Sequence, residues 1–376
     1  MVERICLIKS VLSSIPLFFM SLFRLPSGVA DKLVRIQRNF LWGWGSEGRK
    51  IAWPSWEKVC KPREFEGLCI IDTKLFNVTL LGKWIWRLGS EKGGLWKEIF
   101  VSKYGGWRSL GEEGNSSRSS PWWKYLKEVW ASEGLGRSFE DGFKWKVGDG
   151  NDISFWKDNW MDCGTLKRVF PRLFSINLAK EAMMDELGSW SSGVWVWQLP
   201  WRKPFFDWEK SLEGQLHQVF LEARLVMGEV DSWVWKVGGL QMFSVNSTYI
   251  HVRKDRDVVS SSIFSKLWKC KTVPYVVHTA WRMLENKLAT KVNLERRGMV
   301  IENSMCCLCG KEVESYCHLF FDCSFTWHIW CLCFKWLGVS FVSHFDPTTN
   351  FDQFRMSLAS NSVNDAWSTI WVRGGE

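Results

Sequence analysis

Near the C-terminus, cysteines and a histidine recur at a spacing that suits a metal ion. Cys306 and Cys309 form a C-x2-C pair followed by Gly310, and after an eight-residue gap His318 and Cys323 form an H-x4-C pair. A C-x2-C turn lets two thiolates converge on one ion, and the next helix can supply two more ligands at about 2.0 to 2.3 Å. Four protein ligands leave no open position. The pattern therefore predicts one structural zinc ion (Zn2+) that stabilises the fold, and no zinc chemistry.

The neighbouring residues keep alternatives open. Cys307, Cys317 and His328 lie close enough in the sequence to replace a predicted ligand. The cysteines could also be buried without metal, as small apolar side chains. Eight of the twelve cysteines fall between Cys270 and Cys333, and such clustering is typical of metal binding in a reducing compartment, not of a secreted disulfide framework. We therefore expect an intracellular protein, in the nucleus or the cytoplasm.

The remaining sequence predicts an α+β fold that is predominantly α-helical. After Pro26, Val29, Leu33, Ile36 and Phe40 recur at helical spacing, which predicts an amphipathic helix that buries these four side chains. Further helices are expected at 75–88, 263–297 and 315–336, the last with Phe320, Trp327, Trp330 and Phe334 facing inward. Two short β-hairpins are expected in the middle, at 143–156 and 232–245, around Gly-containing turns.

These patterns divide the chain into five consecutive segments. We expect a basic helical region at 1–110, a Gly/Ser-rich linker at 111–121, a Trp-rich connector with a β-hairpin at 122–230, a small helical zinc-binding domain at 231–340, and a tail at 341–376. The apolar stretch 5–23 is interrupted by Lys9 and Pro16, so a buried helix is expected there and no membrane anchor.

Positive charge is concentrated in the first third of the chain. Residues 1–110 contain 18 Lys and Arg against 9 Asp and Glu, whereas the rest contains 31 of each sign. A localised positive surface suits RNA or DNA, because bound phosphates release their counterions. A solvated helix face would show the same pattern. The residues expected to contact nucleic acid are Lys32, Arg35, Arg38, Lys287, Lys291, Arg296 and Arg297.

Sequence motifs for catalysis are missing. No two aspartates are adjacent, so the paired aspartates that hold two metal ions in a polymerase palm are absent. The turns at 148–150 and 238–239 lack the spacing of a phosphate-binding loop. About fifty residues follow Cys323, too few for a ribonuclease H domain. We therefore expect no catalytic residues, no enzymatic activity and no small-molecule substrate.

Several stretches, in order, resemble the C-terminal region of plant LINE-type (non-LTR) retrotransposon reverse transcriptases, which ends in the reverse transcriptase zinc-binding domain. These stretches are LIKSVLSSIPLFFMSLFRLP (7–26), IQRNFLW (36–42), WEKVCKP (56–62), residues 75–86 and 145–160, FSVNSTY (243–249) and residues 281–323. The resemblance implies that Cys306, Cys309, His318 and Cys323 are the zinc ligands, with Cys307 and Cys317 as bystanders. The chain departs from the family pattern at Glu66 and Cys69, where glycines are common, at Val276, where a lysine is usual, and at Ala289, where proline is common.

In that family the polymerase precedes this region. The resemblance therefore implies a non-catalytic fragment of a reverse transcriptase, with a structural zinc module, a surface for RNA or cDNA, and possible association with an intact reverse transcriptase. The alternative function is a protein-interaction or scaffold module that the host has retained and that zinc stabilises. Such a module would use exposed surfaces rich in tryptophan, of which the chain has 28.

Overall fold

Helices dominate the structure of this chain. The computed structural model describes residues 1–43, 51–91, 93–111, 119–132, 142–162, 164–191, 194–222, 225–226, 228–237, 241–254, 262–338, 340, 342, 344, 346–354 and 368–373. Its described strands form two small antiparallel sheets. The α+β fold, predominantly helical, is confirmed.

The α-helices are numbered here in chain order. They are α1 (Val2–Leu7), α2 (Leu17–Leu22), α3 (Ser27–Trp42), α4 (Trp56–Cys60), α5 (Thr73–Ser90), α6 (Leu95–Tyr104), α7 (Pro121–Trp130), α8 (Leu166–Val169), α9 (Pro171–Ile176), α10 (Asp207–Glu222), α11 (Val245–Lys254), α12 (Ser262–Leu267), α13 (Pro274–Leu284), α14 (Lys291–Glu295), α15 (Ser324–Leu337) and α16 (Pro347–Gln353). The π-helical turns are Ile8–Leu12 and His318–Asp322, and the 3-10 turns are Arg63–Phe65, Trp107–Leu110 and Met184–Leu187. The strands are β1 (Phe143–Lys146), β2 (Gly188–Ser191), β3 (Val194–Trp197) and β4 (Ser232–Trp235).

The chain folds into two compact units, and each is assembled from separate stretches. The first, here called the terminal unit, comprises Met1–Leu17, Pro26–Thr73 and Asp257–Glu376. The second, the central unit, comprises Phe18–Leu25 and Lys74–Arg256. The five consecutive segments outlined from the sequence remain a prediction about domains. Most of the predicted linker at 111–121 and the turn at 238–239 lie outside the described residues.

The core of the terminal unit is shared by both ends of the chain. Ile5, Ile8 and Leu41 belong to the same buried cluster as Trp281 and Phe321. The indole Nε1 of Trp281 donates to the carbonyl of Glu66 at 2.8 Å, which ties α13 to the N-terminal stretch. Helix α13 begins with Pro274 in its first turn, where a missing N–H costs no hydrogen bond. The stretch between the predicted ligands His318 and Cys323 is therefore anchored in this core through Phe321.

Helix α3 buries a different face from the predicted one. Its buried side chains are Ala30, Gln37, Leu41 and Trp42, and Val29, Ile36 and Phe40 are exposed. The prediction that the stripe of Val29, Leu33, Ile36 and Phe40 faces the core is therefore wrong. Helix α3 contacts α1 and the π-helical turn Ile8–Leu12 that follows α1. Two faces of α3 carry apolar residues, and helical spacing alone does not decide which of them tertiary packing will cover.

The N-terminal apolar stretch is broken into pieces instead of forming one buried helix. Helix α1, the π-helical turn and α2 follow one another across Pro16, because proline cannot donate the backbone hydrogen bond that a continuous helix needs. Ile5, Ile8 and Met20 are buried, whereas Ile15 and Phe18 are exposed. No described helix has both the length and the apolar character needed to cross a bilayer.

In the central unit one pair of strands is joined across a long stretch of sequence and the other is local. Strand β1 pairs antiparallel with β4, with Phe143 opposite Trp235 and Lys146 opposite Ser232, and β2 pairs with β3 in a hairpin. The predicted hairpin at 143–156 is therefore wrong in its pairing. The turn of the predicted hairpin at 232–245 lies outside the described residues, and across it Trp235 N–H donates to the carbonyl of Gln241 at 3.2 Å. Around the strands, indole and phenyl rings pack into a buried cluster that includes Trp123, Trp156 and Trp235.

The buried carboxylate of Asp231 explains why β1 pairs with β4. Asp231 Oδ1 accepts hydrogen bonds from the N–H groups of Gly148 and Gly150 at 2.7 and 3.1 Å, and its Oδ2 accepts from Asp152 N–H at 2.9 Å. The turn after β1 is thereby attached to the residue before β4. Its N–H groups are used there instead of closing a local hairpin, and this places β4 beside β1.

Candidate metal centre

A tight loop brings Cys306 and Cys309 together. Met305 and Val313 form an isolated antiparallel bridge that closes the loop, and Cys306 N–H donates to the carbonyl of Glu312 at 2.7 Å. Gly310 N–H donates to the carbonyl of Cys306 at 2.9 Å. Gly310 has a φ of 65°, a left-handed conformation that glycine adopts without steric cost. The local sequence thus turns the chain back so that the two thiols face the same point.

The other two residues lie at either end of a π-helical turn. His318 begins this turn, and its N–H donates to Ser315 Oγ at 3.1 Å. Cys323 ends it, donating its N–H to the carbonyl of His318 at 2.8 Å, and α15 starts directly afterwards. Between them Phe321 is buried in the core of the terminal unit. This packing fixes the turn, and with it the direction of both side chains.

The four side chains form one compact cluster. One donor atom each from Cys306, Cys309, His318 and Cys323 lies within 4.8 Å of every other. The Sγ atoms of Cys306 and Cys323 are 4.0 Å apart, and Cys309 Sγ is 3.2 Å from His318 Nε2. Bond lengths of zinc to sulfur and nitrogen place tetrahedral ligand atoms about 3.5 to 3.8 Å from one another. Both the donor set and its spacing therefore fit a zinc ion held by four protein ligands.

The neighbouring cysteines and histidine lie outside this cluster. Cys307 is exposed although it sits between two members of the cluster, because consecutive side chains in the turn point in different directions. The Cys317 thiol contacts the hydroxyl of Tyr316, and His328 is an exposed residue of α15. The described geometry therefore groups the four residues that the spacing singles out.

The thiols of the cluster differ in acidity. The backbone N–H of Lys311, followed by that of Glu312 and by His318, lowers the pKa of Cys309 to about 6. Burial raises the pKa of Cys306, although N–H groups of the loop oppose this effect. Leu308 N–H lies 3.4 Å from Cys306 Sγ. Such N–H groups stabilise thiolates, the form in which cysteine binds metals.

Glu312 is a contributor that sequence reasoning missed. Its carboxylate Oε2 lies 3.2 Å from Nδ1 of His318, the ring nitrogen that faces away from the thiols. The geometry is not that of a hydrogen bond, and His318 Nδ1 has no hydrogen-bond partner among the described residues. A carboxylate this close still favours the tautomer with its proton on Nδ1, which makes an imidazole a better metal ligand. An acidic residue three positions after Cys309 is common in loops, so the sequence held no distinctive signal for this contact.

The residues predicted to bind nucleic acid all belong to the terminal unit, but their environments differ. Lys32 and Arg35 on α3 are exposed, and so are Arg296 and Arg297 after α14. Arg38, Lys287 and Lys291 are partly buried. Exposed cations can reach a phosphate backbone at little cost, whereas partly buried ones are already surrounded by protein.

Two of the predicted cations make contacts within the protein. The ammonium of Lys291 donates to the carbonyl of Met305 at 2.6 Å, beside the first cysteine of the cluster. Nη2 of Arg297 donates to the carbonyl of Trp53 at 2.9 Å, and its guanidinium lies over the Trp53 ring. These contacts connect α14 to the cysteine loop and to the N-terminal stretch. Lys291 and Arg297 therefore stabilise the fold of the terminal unit, a role that the sequence did not reveal.

Comparison with known proteins places the cluster in a family. Residues 243–330 match the family model described as zinc-binding in reverse transcriptase. A putative ribonuclease H protein of Arabidopsis thaliana is 31% identical over 339 residues, which cover 87% of this chain and 51% of that protein. An uncharacterized mitochondrial protein of Arabidopsis thaliana is 31% identical over 149 residues, which cover 39% of this chain and 93% of that protein. The chain belongs to the family of the uncharacterized mitochondrial protein, nearly the whole of which it covers.

All four clustered residues lie inside the region that matches the zinc-binding family model. The chain spans about half the length of the putative ribonuclease H protein. The predicted resemblance to the reverse transcriptase zinc-binding domain is confirmed at the level of the domain.

Proposed function

We propose that this chain is a non-catalytic part of a LINE-type retrotransposon reverse transcriptase, with one structural zinc ion and a surface that binds RNA or cDNA. The observation that carries the proposal is the cluster of Cys306, Cys309, His318 and Cys323 within a region that matches a zinc-binding domain of reverse transcriptases. Four protein donors complete a tetrahedron. A bound ion would therefore have no position for water or substrate, and its role would be to hold the fold.

The zinc part is tested by elemental analysis of the full chain, purified under reducing conditions without added chelator. We expect about one zinc per chain, as a closed four-ligand site requires. Cys309→Ser should lower the zinc content, whereas Cys307→Ser, a neighbouring and exposed cysteine, should leave it unchanged. A wild-type chain without zinc would refute this part of the proposal, and so would equal losses in the two variants.

The nucleic-acid part is supported by exposed cations on the terminal unit. Lys32 and Arg35 lie three residues apart on α3, so they share one side of the helix, and both are exposed. A polyanion bound there would release counterions, and its affinity would fall as salt rises. Arg296, exposed after α14, offers a further cation. Lys291 and Arg297 contribute less to this argument because they already contact the protein.

Binding of a single-stranded RNA, measured by fluorescence anisotropy at several salt concentrations, tests this part. We expect the affinity to fall with salt, and the double variant Lys32→Glu/Arg35→Glu to bind at least about tenfold more weakly with a smaller salt slope. The matched control is Lys269→Glu/Lys271→Glu, which makes the same change in net charge at exposed residues of the terminal unit. Binding that ignores salt, or equal effects of both variants, would contradict the assigned surface.

The host-retained interaction module is the other outcome of this test. In that case RNA affinity would be weak at all salt concentrations and unaffected by either charge reversal. The zinc measurement does not distinguish these two functions, because both the nucleic-acid-binding fragment and the interaction module require the metal to stabilise the terminal unit.

A further inference from the structure

Helix α15, which begins directly after Cys323, exposes a continuous apolar face. Phe325 is 55% exposed, Ile329 41%, Leu332 56% and Trp336 81%. The opposite side of the helix carries the buried residues Trp330 and Phe334. Helix α15 is therefore apolar on both sides, and the terminal unit covers one of them. Exposed apolar faces of this kind on a folded protein mark interaction surfaces.

The spacing of the exposed face suits another helix. Its members follow one another at intervals of four, three and four residues, which is the heptad repeat of a helix that pairs with a neighbouring helix. Side chains at these positions lie along one seam and interlock with those of the partner. A groove for a small ligand would instead require a concave surface. The pattern therefore points to an extended helical partner.

The charges on α15 indicate which partner helix can pack against its exposed face. Helix α15 carries a single charged residue, Lys335, so two copies of it can approach with little electrostatic repulsion. The exposed stripe of α3 differs, because Lys32 and Arg35 lie beside Val29 and Ile36. Pairing two copies of α3 would bring four exposed cations together, and like charges at close range destabilise an interface. Of the two exposed stripes, only that of α15 can therefore pair with a second copy of itself without bringing several cations together.

We propose that the exposed face of α15 joins two copies of this chain into a symmetric dimer. A twofold axis makes each copy present the same patch to the other, and the antiparallel arrangement sets Phe325 of one copy near Trp336 of the second, with Ile329 and Leu332 at the centre. The four side chains of each copy would bury on the order of 1,000 Å² in total, which is at the lower limit for a specific interface. The dimer should therefore be weak and depend on concentration.

Sedimentation equilibrium of the full chain, zinc-loaded and reduced, tests the proposal. We expect a weak monomer–dimer equilibrium, with a dissociation constant of roughly micromolar or above, because the interface is at the lower limit of size. Leu332→Glu should raise this constant at least about tenfold, because the seam would then bury an unpaired charge. Trp336→Lys, at the end of the same face, should act in the same direction. Both residues are exposed, so circular dichroism and zinc content should match those of the wild type.

Two control variants make the test specific. Val300→Glu places the same charge on a residue that is 94% exposed outside α15, and Ile36→Glu places it on the α3 stripe. Neither should change the dissociation constant. A wild-type chain that is monomeric at 200 μM would overturn the proposal. So would a dimer that survives Leu332→Glu and Trp336→Lys, or one that Ile36→Glu dissociates instead.

Discussion

At the residue scale, the carboxylate of Glu312 approaches the imidazole of His318 without forming a hydrogen bond. The carboxylate lies 3.2 Å from Nδ1 of the imidazole, which leaves Nε2 directed at the thiol of Cys309. The negative charge beside Nδ1 favours the tautomer in which Nε2 is free to bind a metal. The affinity of the site should therefore depend on a residue that does not touch the ion.

Glu312→Gln should weaken zinc binding by about tenfold or more, because the neutral amide favours a proton on Nδ1 of His318 less strongly than the carboxylate does. Competition with a chromophoric chelator at pH 7.5 measures the change. Glu302→Gln removes the same charge from an exposed residue of the preceding loop and serves as the control. Equal affinities of the two variants would mean that the carboxylate has no part in holding His318.

Two residues of the N-terminal stretch adopt backbone conformations that favour glycine. Glu66 has a φ of 68° and Cys69 a φ of 55°, and both stand where the resembling family commonly has glycines. A left-handed conformation costs a residue with a side chain about 1 to 2 kcal/mol. The departures from the family pattern thus have a physical consequence that the sequence alone could not reveal.

Glu66→Gly should raise the free energy of unfolding by about 1 kcal/mol, because the strain is relieved at the cost of a partly exposed ion pair with Lys58. Glu64→Gly, two residues earlier in a 3-10 turn, should lower it by about 0.5 to 1 kcal/mol. Urea denaturation of both variants measures the difference. If both substitutions destabilise the protein equally, the positive φ at Glu66 carries no strain.

At the scale of elements, several helices follow from local patterns and the strand pairing does not. The helix after Pro26 and the helix at 75–88 are signalled by the spacing of their apolar residues. The pairing of β1 with β4 depends on Asp231, which is more than eighty residues from β1. Nothing in the turn at 148–150 indicates that its N–H groups are used by a distant carboxylate, so a local hairpin was the natural expectation.

Asp231→Ala should destabilise the central unit by about 3 kcal/mol, because three N–H groups would lose the acceptor that they share. The comparison is Asp149→Ala in the same turn, where the carboxylate accepts from Asn151 N–H at 3.3 Å. That change should cost less than about 1 kcal/mol. Denaturation followed by tryptophan fluorescence is suitable, since Trp145 and Trp233 lie opposite each other in this sheet. Similar losses would show that Asp231 does not organise the pairing.

At the scale of the whole molecule, the metal cluster is part of a core that draws on both ends of the chain. Phe321, between two of the clustered residues, is buried with Ile5 and Leu41. The four members of the cluster could be chosen from the sequence, because C-x2-C and H-x4-C spacing reflects local geometry. Their connection to the N-terminal helices could not, because it depends on packing between residues some three hundred positions apart.

Removal of zinc should therefore loosen helices that contain no zinc ligand. In hydrogen–deuterium exchange, a strong chelator should increase the exchange of amides in α13 and also in α3, while amides of α5 in the central unit keep their protection. The central unit serves as the internal control. Exchange that increases only within residues 305–323 would show that the site is independent of the core.

The central claim is that these four residues hold one zinc ion in a closed tetrahedron. X-ray absorption at the zinc edge of the purified, reduced chain measures it most directly. We predict three sulfur neighbours at about 2.3 Å and one nitrogen neighbour at about 2.0 to 2.1 Å. A first shell that contains oxygen, or fewer than three sulfur atoms, would contradict the claim.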